Sequence, residues 1–174
     1  DPASDRSAPL TGFKQGVLDF AVSADGQSVY LSARHEAEGS AIYRLDWADV
    51  QPDLDDPGSG PPDGESLPVV LDCPEAVCSE LALEPSGRYL AYERSALPGS
   101  AGTQAPQVWV FPLQSTGGDP PFLAHEADHQ TLSPAWSSQG MLAVYDSDES
   151  AYLFIEPRGG VKARFPNQTG QQGT

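Results

Sequence analysis

The chain has 174 residues, of which 25 are acidic and nine are basic, so its formal net charge is −16. This charge excludes nucleic-acid binding through bulk electrostatics, because contact with phosphates needs a basic surface. The 17 Gly and 17 Pro exclude an all-helical fold and predict many short elements joined by turns. No apolar run approaches the roughly 18 residues that a spanning helix needs, so we expect no membrane span.

The first part of the chain is predicted to hold a flexible end and one unit of short strands. Residues 1–8 are expected to be flexible and are typical of a mature end left after removal of a signal or lipoprotein anchor. Residues 8–13 resemble an outer strand. An apolar run then ends in a turn at Asp25 and Gly26, where glycine supplies a positive φ. Further strands are predicted at 28–32 and 41–47 and, beyond a Pro/Asp/Gly-rich loop insertion at 49–66, at 67–71.

The same order of elements recurs twice along the chain. Turns that end at Gly87 and Gly140 align with the turn at Gly26, because an apolar residue lies four positions before each glycine. We expect these apolar residues, Val22, Leu83 and Trp136, to point between sheets. Strands are predicted at 88–92, 107–113 and 121–124 in the second unit and at 141–145, 151–157 and 161–165 in the third, with a second insertion at 97–106.

Three short motifs resemble a known repeat family. They are Ser23-Ala24-Asp25-Gly26 with the following Val29-Tyr30-Leu31, then Ile42-Tyr43-Arg44-Leu45-Asp46, and Pro134-Ala135-Trp136-Ser137. This pattern resembles the TolB-type, WD40-like (PD40) β-propeller repeats, although only the first unit keeps the aspartate of the turn. The resemblance implies an all-β fold of three four-stranded antiparallel blades, about half of a six-bladed ring. The blades are expected at about 9–48, 67–114 and 121–166, with a tail at 167–174.

The two cysteines, Cys73 and Cys78, lie close together in the chain. Four residues separate them, a spacing that can close a small disulfide loop between an outer strand and the next inner strand. Two buried free thiols are the alternative. Because a disulfide persists in oxidising compartments, the pair favours a periplasmic, cell-surface or secreted location, and the resemblance implies a bacterial source.

One motif points to metal chemistry. The sequence from His125 through Glu126 to His129 has the His-Glu-x-x-His order of zinc peptidases, in which a helix carries two ligands and a general base. The repeat alignment places these residues on a loop, however, where nothing directs both imidazoles to one ion. A polar exposed loop is therefore the favoured interpretation, and zinc-dependent hydrolysis is the alternative.

Acidic residues and tryptophans also form recurrent features. Two acidic groups could bind Ca²⁺ through carboxylate oxygens, but neither has the order of a known calcium loop, and solvated hairpin tips are favoured. The groups are Asp53, Asp55, Asp56 and Asp63, and Asp146, Asp148 and Glu149.

The tryptophans Trp47, Trp109 and Trp136 are predicted to pack between blades, with ligand stacking as the alternative.

The sequence thus predicts a module without catalytic residues, cofactor or metal. A nucleophile elbow and a phosphate-binding loop are both missing from the sequence. The leading hypothesis is a protein-interaction scaffold in a bacterial cell-envelope or secreted assembly, in which a homodimer or a larger assembly completes the propeller. The alternative is an accessory or sensor propeller of a larger peptidase or receptor that binds a peptide or glycan.

Overall fold

The protein is built from β-sheets. The computed structural model describes residues 9–35, 39–49, 63–97, 105–114 and 118–167, which form twelve strands and one short 3₁₀ turn, Gly64–Ser66. The strands make three four-stranded antiparallel sheets, which confirms the predicted all-β fold class. Among the described residues, no helix has the length and apolar character that a membrane crossing needs.

Each sheet takes four consecutive strands in chain order. The first sheet comprises β1 (Val17–Val22), β2 (Ser28–His35), β3 (Gly39–Asp46) and β4 (Val69–Pro74). The second comprises β5 (Ala76–Leu83), β6 (Tyr89–Ala96), β7 (Gln107–Pro112) and β8 (Phe122–Leu123). The third comprises β9 (Thr131–Trp136), β10 (Leu142–Asp146), β11 (Ala151–Glu156) and β12 (Gly160–Pro166). We refer to these sheets as the first, second and third blades.

Two sequence-based assignments differ from the observed strands. Strand β4 pairs with β3 and β8 pairs with β7, so the fourth strands predicted at 67–71 and 121–124 belong to the first and second units as expected, and only the blade bounds 67–114 and 121–166 begin one strand too early. Residues 9–13 form no strand, which corrects the expectation of an outer strand at 8–13. Phe13 instead packs on Tyr43, with ring centroids 4.8 Å apart, and covers part of the first blade's outer face.

The first and second blades meet through a buried apolar layer. Ile42 of β3 and Leu90 of β6 are fully buried there, together with Tyr30 and Tyr92. Two buried hydroxyls of the first blade bond to the backbone of Cys78: Ser32 donates to its carbonyl, and Ser40 accepts from its amide at 2.8 Å. These bonds satisfy polar groups that would otherwise be costly to bury, and they fix the spacing of the two blades.

A second apolar layer joins the second and third blades. Val108 and Val110 of β7 pack with Leu142, Val144 and Leu153 of the third blade, and each is at most 1% exposed. These side chains alternate along their strands with more exposed ones, as expected for sheets with one face toward a neighbour. The second blade is therefore covered on both faces by its neighbours.

The three residues expected to point between sheets behave differently. Leu83 packs against the layer between the first and second blades, and Trp136 packs against the layer between the second and third. Val22 is 50% exposed, and Trp47, predicted to lie in the core, is 44% exposed. Both predictions were wrong because these residues lie in or next to the first blade, which has a neighbouring blade on one side only.

We predict that Trp136→Ala lowers the free energy of unfolding by about 2–4 kcal/mol, because it empties a site between two blades. The Trp136 ring stacks on Tyr89 with centroids 6.2 Å apart, and its indole nitrogen donates to the Ala82 carbonyl at 3.0 Å. The matched change Val22→Ala, at the equivalent position of the first blade, should cost less than about 1 kcal/mol since Val22 is half exposed. Urea unfolding measures both, and equal losses would contradict the assigned blade packing.

Candidate functional site

The turn residues singled out by the sequence have a structural role. Gly26, Gly87 and Gly140 have φ values of 69°, 72° and 77°, in the left-handed region that favours glycine. The amide of each glycine donates to the carbonyl three residues earlier, at 2.8, 2.7 and 3.0 Å. Asp25 accepts from the Ser23 hydroxyl and the Gln27 amide, and these bonds lower the pKa of its carboxyl. The motif therefore closes the hairpin between the first two strands of each blade.

A second recurring position in this turn was missed at the sequence level. The residue three before each glycine is Ser23, Glu84 or Ser137, and its side-chain oxygen accepts a backbone amide at the start of the next strand. The donors are Ser28 at 2.9 Å, Arg88 at 3.2 Å and Met141 at 3.1 Å. Burial would raise the pKa of Glu84, but hydrogen bonds from Ser86 and Arg88 outweigh it and lower the pKa. In the sequence, the signal for this position is a residue with a side-chain oxygen three positions before each turn glycine.

We predict that Gly87→Ala lowers the free energy of unfolding by about 1–2 kcal/mol, the cost of a left-handed conformation for a residue with a β-carbon. No atom lies within 4 Å of the added carbon, so the effect is conformational and not a clash. Gly87→Asn should cost less, because Asn adopts this conformation more readily. Thermal and urea unfolding of both variants test this, and wild-type stability in Gly87→Ala would contradict it.

The predicted disulfide is present. Cys73 at the end of β4 and Cys78 in β5 are bonded, and both are at most 2% exposed. The bond thus joins the outer strand of the first blade to the inner strand of the second, beside the backbone link from β4 to β5. It ties together two elements that already pack through the shared layer.

Reduction of this disulfide should lower the free energy of unfolding by about 2 kcal/mol or less, because the loop that it closes is so short. Urea unfolding with and without reductant measures the difference, and a Cys73→Ala, Cys78→Ala double variant is the genetic equivalent. Recovery of two reactive thiols from denatured, unreduced protein would contradict the bond itself.

The histidine motif lies on the loop between β8 and β9, as the repeat alignment predicted, but its two histidine side chains do not face the solvent as Glu126 and Asp128 do. The side chains of His125 and His129 are 9% and 19% exposed, and their ring centroids are 4.9 Å apart. His129 Nδ1 lies 2.6 Å from Asp146 Oδ2, and His125 Nε2 lies 3.7 Å from the same oxygen. We call these three residues the His-His-Asp cluster.

The cluster corrects two sequence-based interpretations. His125 and His129 meet although no helix carries them, and Glu126 between them is exposed on the same loop. Asp146, expected at a solvated hairpin tip, is fully buried at the end of β10. The reason is a contact 17 residues away in sequence, which local periodicity cannot show.

Hydrogen bonding sets the charges in the cluster. Its hydrogen bond to Asp146 raises the pKa of His129 above its ordinary value, assisted by the nearby carboxylates. Burial would raise the pKa of Asp146, but hydrogen bonds from the Glu149 amide and from His129 outweigh burial and lower the pKa. Asp146 is therefore an ionised carboxylate inside the fold, with the Glu149 amide on one oxygen and His129 on the other.

A cleft opens beside the loop of the cluster. It has a volume of about 530 Å³ and lies between the outer strands of the second and third blades. Phe122 and Val161 line its apolar part, Arg158 and Arg164 line its basic part, and His125 borders it. The guanidinium of Arg158 lies 5.4 Å from the centre of the Phe122 ring. The cleft is at the rim of the blades, and Glu126 and Glu156 also line it, so its two basic side chains are matched by two acidic ones.

The acidic residues that the sequence offered as Ca²⁺ ligands lie in different parts of the chain. Asp53, Asp55 and Asp56 lie outside the described residues, and Asp63 is an exposed residue just before the 3₁₀ turn. Asp148 accepts from the Gln130 amide at 2.6 Å, and Glu149 pairs with Arg164 at 2.7 Å. Asp148 and Glu149 are thus each bonded to another residue of the chain.

Comparisons with known proteins identify the fold. No protein-family model matches the chain, and no curated protein matches it. Among solved structures it is similar to a Mycobacterium tuberculosis puromycin-hydrolyzing peptidase, with 17% identity, a TM-score of 0.61 and coverage of 86% of this chain and 23% of the peptidase. Prolyl oligopeptidase B from Galerina marginata gives 15% identity, a TM-score of 0.53 and coverage of 86% and 23%.

A further similarity is to a gluconolactonase from Xanthomonas campestris, with 16% identity, a TM-score of 0.51 and coverage of 94% of this chain and 49% of the lactonase. The chain therefore spans about a quarter to a half of the length of the proteins that it resembles. At these identities the similarity shows the fold, a set of β-propeller blades, and nothing of the chemistry.

Proposed function

We propose that the chain is a non-catalytic propeller module that binds further blades of an extracytoplasmic bacterial protein assembly through the open faces of its first and third blades. One observation carries the proposal. Nine large hydrophobic side chains of the described residues are exposed, and all lie in, or directly after, strands of the first and third blades. They are Val17, Leu18, Phe20, Val22, Trp47, Val69, Tyr152, Val161 and Phe165. Val161 borders the cleft toward the second blade, so the proposal rests on the other eight.

The second blade has no exposed large hydrophobic side chain among its described residues. The three blades have the same number and order of strands, and the exposed side chains follow the position of the blade in the chain. A blade with two neighbours buries both faces, whereas a terminal blade leaves one face in water. Exposed apolar surface of this kind marks a binding site in a folded protein.

The third blade offers an aromatic face. Tyr145 and Tyr152 lie side by side with ring centroids 5.2 Å apart, and Phe154 and Phe165 follow at 5.4 Å. Phe165 is 57% exposed and Tyr152 is 49% exposed. Four rings on adjacent strands give large, rigid contact area at a low entropy cost. This face fits the flat apolar side of another β-sheet.

The first blade offers a smaller apolar face. Phe20 and Val22 on β1 are 61% and 50% exposed, and they pair across the sheet with Leu31 and Val29. Phe13 and Leu67 cover the part of this face that lies over β2 and β3. Most of the exposed side chains thus lie on β1, the innermost strand, where blades approach one another most closely in a propeller, and Trp47 after β3 and Val69 at the start of β4 are exposed as well.

Charge opposes self-association but does not decide it. Copies that each carry a charge of −16 repel one another, and salt screens this repulsion over about 10 Å at 0.1 M. Apolar contact acts at short range, and a standard interface removes about 1,600 Å² from water. Burial of the two faces therefore prevails at moderate salt, in a homodimer or in a larger assembly that completes the ring.

The disulfide supports the proposed location. The bond between Cys73 and Cys78 fits an oxidising compartment, such as the periplasm, the cell surface or the medium.

An accessory propeller of a larger peptidase or receptor is the second candidate, favoured by the similarity to two peptidases of which this chain covers 23%. Intact-mass measurement of the native protein discriminates the two, since a mass far above 18.4 kDa favours the second.

We predict that a Tyr152→Ser, Phe165→Ser double variant weakens association about tenfold or more, because it removes much of the exposed apolar area of the third blade. Val161→Ser is the matched control: Val161 is also exposed on β12, but it faces the cleft toward the second blade. Sedimentation equilibrium at micromolar concentration and moderate salt measures both. A stable, compact 18 kDa monomer of the wild-type chain would overturn the proposal.

A further inference from the structure

The His-His-Asp cluster has the composition of a metal site. His125, His129 and Asp146 each offer one ligand atom, and these atoms all lie within 4.8 Å of one another. Two imidazoles come from the loop that links the second blade to the third, and the carboxylate comes from the end of β10. We propose that the three residues bind one divalent transition-metal ion of the Zn²⁺ class.

The spacing of the ligand atoms suits such an ion. In a tetrahedral site with metal–ligand distances near 2.0–2.1 Å, ligand atoms lie about 3.3 Å apart. Asp146 Oδ2 lies 3.7 Å from His125 Nε2 and 2.6 Å from His129 Nδ1. For these two pairs, binding therefore needs the distances to change by about 0.4 and 0.7 Å.

The backbone around the cluster holds the ligands in place. Gln107 Nε2 donates to the Ala127 carbonyl at 2.6 Å, and the Ser147 amide donates to the Gln130 carbonyl at 3.0 Å. The amide of Glu149 fixes the other oxygen of Asp146 at 3.0 Å. The loop is thus bonded to the second blade and to the β10–β11 turn, and the arrangement of ligands exists before an ion binds.

The donor set selects among cations. Two imidazole nitrogens with one carboxylate oxygen suit Zn²⁺, Cu²⁺, Ni²⁺ or Fe²⁺, whereas Ca²⁺ and Mg²⁺ prefer sites made of oxygen atoms. Glu126, Asp128 and His129 also offer ligand atoms within 4.8 Å of one another. Both carboxylates are exposed, so they attract a cation to the loop and leave the fourth position of the ion open to water or to one of them.

A hydrogen-bonded clamp without an ion is the competing explanation. The bond from His129 to Asp146 already satisfies both groups, but it leaves His125 without a part in the clamp, although His125 Nε2 points at the same oxygen from 3.7 Å. The two explanations therefore differ most at His125. A clamp does not need its imidazole, whereas a metal site loses a ligand with it.

The test is a titration of chelator-treated protein with Zn²⁺ in competition with a chromophoric chelator, and with Co²⁺ followed by visible absorption. We expect one ion per chain with a Kd of about 1 µM or tighter, and intense Co²⁺ bands typical of low-symmetry coordination by nitrogen ligands. His125→Ala and His129→Ala should each weaken Zn²⁺ binding about 100-fold or more. Loss of a residue that only hydrogen-bonds to a metal ligand already weakens binding roughly 10- to 100-fold, and loss of a ligand itself costs more.

His35→Ala is the matched control, since it removes the third histidine of the chain, which lies on β2 in the first blade. It should bind Zn²⁺ like the wild type, and an excess of Ca²⁺ should not compete. Circular dichroism confirms that each variant is folded. Absence of stoichiometric Zn²⁺ binding by the wild type would overturn the proposal, as would a His125→Ala variant with unchanged affinity or an equal loss in His35→Ala.

Discussion

Face-to-face packing of the blades is the constraint on which the rest of the structure depends. A four-stranded sheet has two faces, and the middle blade of this chain buries apolar side chains on both. The layers around Ile42 and Leu90, and around Val108 and Leu153, bury one face each of two adjoining blades. The middle blade is thereby complete, and the outer two are not. The number of neighbouring blades that each blade has explains three features: the exposed apolar surface, the covering of the first blade by Phe13, and the proposed assembly.

Much of the blade architecture could be predicted from the sequence, because it is local. Short-range signals predicted three features. Glycines with positive φ predicted the hairpins, alternating apolar runs predicted the order of strands, and a close pair of cysteines predicted the disulfide. Exposure was harder to predict. Val22 and Trp136 occupy equivalent positions, yet Trp136 packs between blades and Val22 does not, because this position faces the preceding blade and no described blade precedes the first. Periodicity tells which residues share a face but not whether the face is covered.

The His-His-Asp cluster likewise depends on contacts between distant parts of the chain, which the sequence pattern does not show. The sequence indicated two histidines on a loop and an aspartate at a hairpin, which are two unremarkable surface features when considered separately. Their meeting requires that the linker from the second blade fold back over the end of β10, and the bonds of Gln107 to Ala127 and of Ser147 to Gln130 bring this about. The junction between two blades is therefore the place where side chains from separate repeats meet and form a site that neither repeat has alone.

Hydrogen–deuterium exchange as a function of protein concentration tests the central claim most directly, because it reports burial blade by blade. If the open faces bind a partner, amides of β11 and β12, and those of β1, become more protected as concentration rises, whereas β6 and β7 of the middle blade are protected throughout. Protection of β11 and β12 that equals that of β6 and β7 at every concentration would contradict it, since the face of the third blade would then need no partner.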